Sequence, residues 1–139
     1  MAALAITERA RSALRATGER VTPARLRVYL ALLDSARALS HHELEAALGA
    51  GAPVDRVTLY RVLDWLVEQG LAHRVAGIDR VWRFSIARET HAGHAHFQCN
   101  QCGKVICLGE AMTSRVPLPR GFRSEAVELT VKGRCAECG

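Results

Sequence analysis

Four of the five cysteines in this 139-residue chain form two C-x-x-C pairs, Cys99/Cys102 in "CNQCGK" and Cys135/Cys138 in "CAEC". Each such turn presents two sulfurs to one point, and tetrahedral zinc takes four thiolates at about 2.3 Å. The pairs are separated by 32 residues, more than the usual ribbon spacing, so strands must bring them together. Gly103 follows the second cysteine, where a tight knuckle needs a permissive backbone. The bland alternative is four buried thiols, but two such pairs arising by chance in so short a chain are improbable. A closed four-thiolate site has no open coordination position, so it would be structural rather than catalytic.

A second group of possible ligands surrounds the first pair. His94 and His96 alternate along an expected strand and so point to one face, His91 lies just before them, and His73 sits in "GLAHRV". Cys107, five residues past Cys102, is not needed for a four-thiolate site. Imidazole suits zinc, iron, nickel or copper, and a nearby thiolate favours zinc. On spacing alone, two plainer readings stay open. The histidines can be exposed strand residues, and Cys107 a small buried hydrophobe. His41 and His42 are expected to face solvent on a short helix and receive no role. An H-x-E in "HHE" faintly resembles a zinc-deaminase signature, but Gln98 rather than proline precedes Cys99. No H-E-x-x-H, G-x-S-x-G or phosphate loop is present, so no enzyme is expected.

The elements that must position these groups divide at Ser85. Ile6, Ala10 and Leu14 mark one apolar helical stripe. Thr22 and Pro23 open a second helix as N-cap and first helical residue, with Leu26, Leu30 and Leu33 as its expected core face. Ser40 with Glu43 forms a capping box for a third. Asp55 caps a fourth, whose core face is Leu59, Val62, Leu63 and Leu66, and Gly70 ends it. Its other face carries Val57, Arg61, Asp64 and Glu68, flanked by Arg56, Thr58 and Tyr60. After Gly70 the period changes: "LAHRV" and "RVWRFS" read as a hairpin around "AGID". Helices followed by a two-stranded ribbon describe a winged helix-turn-helix, which would place the fourth helix in a DNA major groove. For an isolated helix, a solvated charged face would be the better reading. "HAHFQC", "KVICL" and "EAVELTVKG" then read as strands, with Val127, Leu129 and Val131 on one face. The expected class is α+β: a winged helix over residues 1–85, a hinge over 86–93, and a small strand-rich metal-binding domain with a four-cysteine zinc site over 94–139.

The net charge of +5 and pI near 9.3 permit nucleic-acid binding without arguing for it. The longest apolar run, "VYLALL", is far too short to span a bilayer. The opening "MAALAITERARSAL" carries acids among its arginines and reads as a helix rather than a leader. A cytoplasmic location is therefore expected, where paired cysteines more often hold metal than form disulfides.

Taken in order, "RVTPARLRVYLALL", "VTLYRVLDWLVEQGLAHRV", "HAHFQCNQCGKV" and "GRCAEC" resemble the ferric-uptake-regulator family of bacterial repressors over nearly the whole chain. The resemblance implies a homodimer whose small C-terminal α/β domain, residues 94–139, is the dimerisation and metal-binding domain, and which binds palindromic operators when loaded with a regulatory metal. It assigns the structural zinc to Cys99, Cys102, Cys135 and Cys138, and a sensing site at the hinge to His94 and His96. His73 falls on a ligand position of the zinc-responsive branch. DNA contacts fall to Arg20, Arg25, Tyr60 and Arg61, beside Arg56 and Thr58. Phe84 stands where the family has a glutamate or cysteine donor, and Cys107 stands at a glutamate position. The implied sensing site is therefore His73, His94, His96 and Cys107, with Cys107 replacing the donor lost at Phe84 and His91 as substitute. Gly93 and Ala95 leave a further family metal site without donors. Pro117 and Pro119 interrupt a segment where the family has a longer helix, so dimer packing is expected to differ.

The function this implies is a zinc-responsive repressor of metal-uptake genes, holding one structural and one regulatory zinc per chain. It binds double-stranded operator DNA, with no membrane and no small-molecule substrate. Its rivals are an iron- or peroxide-responsive regulator, signalled by Glu89 or Glu110 at the metal, and a thiol redox switch at Cys107.

Overall fold

A computed structural model describes residues 2–49, 54–77, 79–87, 93–108, 117–125 and 127–139, apart from the side chains of His94 and Glu128. Its elements run α1 (Ala2–Arg15), α2 (Pro23–Leu33), β1 (Leu39–Ser40), α3 (His41–Leu48), α4 (Arg56–Glu68), β2 (Ala72–Ala76), β3 (Trp82–Ile86), β4 (Gly93–Cys99), β5 (Val105–Leu108) and β6 (Val127–Gly133).

Helices α2, α3 and α4 start where side chains can satisfy orphan backbone donors. Thr22 accepts from the Arg25 N–H, and Pro23 follows it. Ser40 and Glu43 form the expected reciprocal capping box, and Asp55 accepts from the Thr58 N–H. Gly70 closes α4 at φ 74°, a left-handed conformation that glycine adopts without a Cβ penalty. The apolar faces of α1, α2 and α4 meet in a core of Ala10, Leu14, Val28, Tyr29, Leu32, Leu59, Leu63, Leu66 and Phe84. Two expected stripes shift. Ile6 is exposed, so α1 enters the core only from Ala10 onward. On α2, Val28, Tyr29 and Leu32 are buried, whereas Leu26 and Leu30 pack at the margin and Leu33 is exposed.

The hairpin of β2 and β3 forms as expected, with His73 opposite Ser85 and Arg74 opposite Phe84. It gains a third strand, because β1 pairs with β3 at Leu39↔Phe84 to give the order β1-β3-β2. The second sheet has the order β5-β4-β6, with β4 antiparallel to β5 and parallel to β6. That parallel pairing brings Gly133, two residues before Cys135, alongside Cys99. The two sheets touch: the Ala38 N–H donates to the Val105 carbonyl at 2.9 Å, and the buried Gln98 amide donates to the Ala76 carbonyl at 2.9 Å. Pro117 and Pro119 lie in an exposed, non-helical stretch with a turn in which the Phe122 N–H donates to the Pro119 carbonyl.

Candidate metal centres and nucleic-acid interface

The sulfurs of Cys99, Cys102, Cys135 and Cys138 all lie within 4.8 Å of one another. Both knuckles are built by backbone. Gly103, at φ 77°, turns the chain so that its N–H donates to the Cys99 carbonyl. In the second knuckle, the N–H groups of Cys138 and Gly139 both donate to the Cys135 carbonyl. A tetrahedral zinc–thiolate site has sulfur–sulfur edges of about 3.8 Å, and Cys102 Sγ lies 3.8 Å from Cys135 Sγ. The donor set fits zinc.

The electrostatics of the cluster favour thiolate at Cys99. The N–H groups of Cys102 and Cys135 donate to Cys99 Sγ at 3.5 and 3.4 Å. These bonds, that of Cys102 foremost, lower the Cys99 thiol to about 6. Cys138 moves the other way, to about 12, chiefly through its hydrogen bond with the Cys135 sulfur. Lys104, ion-paired with Glu137 at 3.1 Å, ties the first knuckle to the second.

Three further donors meet between the two sheets: the ring nitrogens of His73 and His96 and the sulfur of Cys107 lie within 4.8 Å of one another. Each is placed by strand register. His96 on β4 stands directly opposite Cys107 on β5, and residues so paired share a face. His73 on β2 approaches from the first sheet, its Nε2 lying 2.9 Å from His96 Nε2. His96 is buried and the other two partly so. Nitrogen ligands of a tetrahedral zinc stand about 3.4 Å apart, so these nitrogens need separate by only about half an ångström to share an ion. Two imidazoles and a thiolate suit zinc better than harder metals. A cleft of about 530 Å³, lined by His73, Trp82, His96, Gln98 and Thr130, opens beside the trio.

His94 lies on β4 opposite Glu128, but its side chain is outside the described residues, as are His91, Glu89 and Glu110 altogether. Phe84 is turned into the helical core, with 2% of its surface exposed. The next residue, Ser85, faces the trio instead, its Oγ lying 2.8 Å from His73 Nε2. Strand alternation after Phe84 is a signal in the sequence that Ser85 faces the opposite way, but the register that sets it against His73 is not fixed there.

On the helical side, α4 exposes Val57, Tyr60, Arg61, Asp64 and Glu68 as expected. Arg56 reaches back to Glu45 at 3.1 Å. Thr58 donates its hydroxyl to the Asp55 carboxylate. Arg20 is exposed, whereas the Arg25 guanidinium is held within the chain. It stacks 3.8 Å from the Trp65 ring centroid and donates to the Arg20 carbonyl. His41 departs from expectation. It is half-buried rather than solvent-facing, its ring centroid 3.8 Å from that of Tyr60 and edge-on to Phe84. Burial lowers its pKa, and the carboxylates of Asp64 and Glu45 oppose that shift.

Fold and site together define a winged-helix protein whose second sheet carries a four-cysteine cluster, with a histidine–cysteine trio where the sheets meet. The model of the ferric uptake regulator family matches residues 16–131. The chain is also 31% identical over 125 residues to the zinc uptake regulation protein of Escherichia coli, covering 86% of this chain and 72% of that one. It belongs to the ferric uptake regulator family. Among solved structures, the ferric uptake regulator of Pseudomonas aeruginosa with manganese is 27% identical, with a TM-score of 0.67 over 91% of this chain and 97% of that one. A zinc uptake regulator complexed with zinc and DNA shares the fold at 24% identity, with a TM-score of 0.65 over 96% of this chain and 93% of that one.

Proposed function

We propose that this chain is a zinc-responsive, DNA-binding transcriptional repressor that acts as a homodimer and controls metal-uptake genes. The observation that carries the proposal is the meeting of His73 with His96 and Cys107, because these donors come from two different sheets. In this reading Cys99, Cys102, Cys135 and Cys138 hold a structural zinc that ties β6 to the β4–β5 turn. His73, His96 and Cys107 hold the regulatory one, with His94 and His91 further imidazoles in the same stretch of chain.

When bound, zinc at the trio supplies a coordinate link between the two sheets. His73 then fixes the wing hairpin, and with it α4, relative to the sheet bearing His96 and Cys107. This link would add to the Ala38–Val105 and Gln98–Ala76 hydrogen bonds through which the two halves already touch. Holding the arrangement that fits DNA is population shift, driven by the higher affinity of the three donors when they are assembled. Tyr60 and Arg61 on the exposed face of α4, with Arg20 and Arg56, supply hydroxyl and guanidinium groups for phosphates and base edges. The share of Arg25 in DNA contact is smaller, because its guanidinium is already stacked on Trp65.

The donor set favours zinc over iron, since the described trio contains sulfur and no carboxylate. The test is binding to a palindromic duplex selected from a random library, across buffered series of zinc, ferrous iron and manganese. Zinc is expected to switch binding on at the lowest free concentration. Tighter binding with iron, or binding gated by peroxide alone, would overturn the zinc assignment.

A further inference from the structure

Tyr60 stands on the outer face of α4 with 44% of its surface exposed, whereas Leu59, Val62, Leu63 and Leu66 of the same helix are buried. Those four seat α4 in the core, so the ring contact that Tyr60 makes with α3 is not needed to hold the helix. That contact is with His41. The two ring centroids lie 3.8 Å apart with the planes tilted by 37°, and the His41 ring also meets the buried Phe84 ring edge-on at 5.1 Å. His41 is itself fixed from behind. It follows directly on Leu39 and Ser40, which pair with Phe84 and Arg83 of β3, and the Ser40–Glu43 capping box closes the first turn of α3. One turn further along α3, Glu45 pairs with Arg56 of α4 at 3.1 Å. Burial lowers the His41 pKa against the opposing fields of Asp64 and Glu45, so at neutral pH it packs on Tyr60 as an uncharged aromatic ring.

We propose that His41 is a positioning residue for DNA recognition: its ring, backed by Phe84, holds the Tyr60 ring so that the phenolic hydroxyl is presented to the operator in one orientation. The proposal rests on the reading of α4 as the helix that meets DNA through Tyr60. A tyrosine standing alone on a helix surface samples several rotamers and loses that freedom on binding. One already stacked on a neighbour has less to lose. The gain falls on the sequence-specific complex, where the hydroxyl must meet one group in one register. Sequence-independent attraction to the duplex comes from charge on the phosphates and does not need the ring held.

The experiment measures binding of the full zinc-loaded chain to the selected palindromic duplex and to a scrambled duplex of the same length and composition. The parent is compared with His41→Ala, His41→Leu, which fills the space without a flat ring, His41→Phe, which keeps the ring, Tyr60→Ala, and the His41→Ala/Tyr60→Ala double variant. Each is first shown by circular dichroism and zinc content to be folded and loaded like the parent. His41→Ala and His41→Leu are expected to weaken binding to the selected duplex ~3–10-fold, the affinity equivalent of ordering one side chain, and to leave the scrambled duplex unchanged. His41→Phe is expected to restore parent-like binding, and His41→Ala to cost nothing further once Tyr60 is alanine. Parent-like binding by His41→Ala and His41→Leu, an equal loss on both duplexes, or a loss that persists in full without Tyr60 would each overturn the proposal. So would failure of His41→Phe to restore binding, which would make His41 a hydrogen-bonding DNA contact in its own right. Parent-like binding by Tyr60→Ala would instead overturn the reading of Tyr60 as a DNA contact, and the proposal with it.

Discussion

The His41 ring lies against Tyr60 and edge-on to Phe84, and burial lowers its pKa below the ordinary 6.5. The unfolded chain therefore binds this proton more readily than the folded one. The stabilisation is fully present above about pH 6.5 and is lost as pH falls through the lower folded value. Zinc-loaded protein is expected to melt at a lower temperature near pH 5.5 than near pH 7.5. His41→Phe should remove part of that difference, and melting curves at the two pH values measure it. An unchanged pH slope would dissociate His41 from the effect. Phe84 gives a second prediction. With its side chain packed in the helical core, Phe84→Ala should cost about 3–5 kcal/mol, read as a shifted urea midpoint with unchanged slope. A loss well under ~1 kcal/mol would contradict its place in that core. The sequence shows that Phe84 cannot ligate. That Ser85 turns toward His73 follows only from the hairpin register, which the sequence signals without fixing.

Helix starts and the fourth helix are the most legible elements in the sequence. Their signals are local: a hydroxyl or carboxylate at the cap, a glutamate three residues on, and apolar residues at helical spacing. Ser40→Ala should therefore destabilise the chain by about 1 kcal/mol, measured by denaturant unfolding. A neutral effect would mean that the capping box adds nothing in the folded protein. The core face of α2 differs from expectation for a physical reason. "LRVYLALL" is apolar almost all round, so periodicity does not choose between Leu26, Leu30, Leu33 and the buried Val28, Tyr29, Leu32. Strand β1 has two residues, too short for any alternation to register. The half-burial of His41 is not legible either, because nothing local to α3 reveals that Tyr60, on α4, stacks upon it.

The helical half and the second sheet meet through contacts that include the Ala38–Val105 backbone bond, the Gln98–Ala76 bond and the His73–His96 approach. The cysteine spacing disclosed the first cluster. The parallel pairing of β4 with β6 that closes it is a long-range contact, which spacing does not specify. Because the four cysteines anchor the ends of β4 and β6, a strong chelator is expected to unfold the C-terminal sheet while leaving the helical core intact. Amide hydrogen exchange would show this as lost protection in β4–β6 alone, and retained protection there would make the zinc dispensable for the fold. The trio is where the whole-molecule reading is most exposed to test, because there, among the described residues, candidate ligands from both halves converge. The most direct measurement is zinc per chain at equilibrium for the parent and Cys107→Ala, with operator-DNA binding followed across a buffered zinc series. The expected result is two zincs in the parent and one in the variant, with zinc-dependent DNA binding lost or moved to much higher free zinc in the variant. Equal zinc content with unchanged zinc-dependent DNA binding would contradict Cys107 as a ligand, and binding indifferent to zinc in both proteins would contradict zinc control altogether.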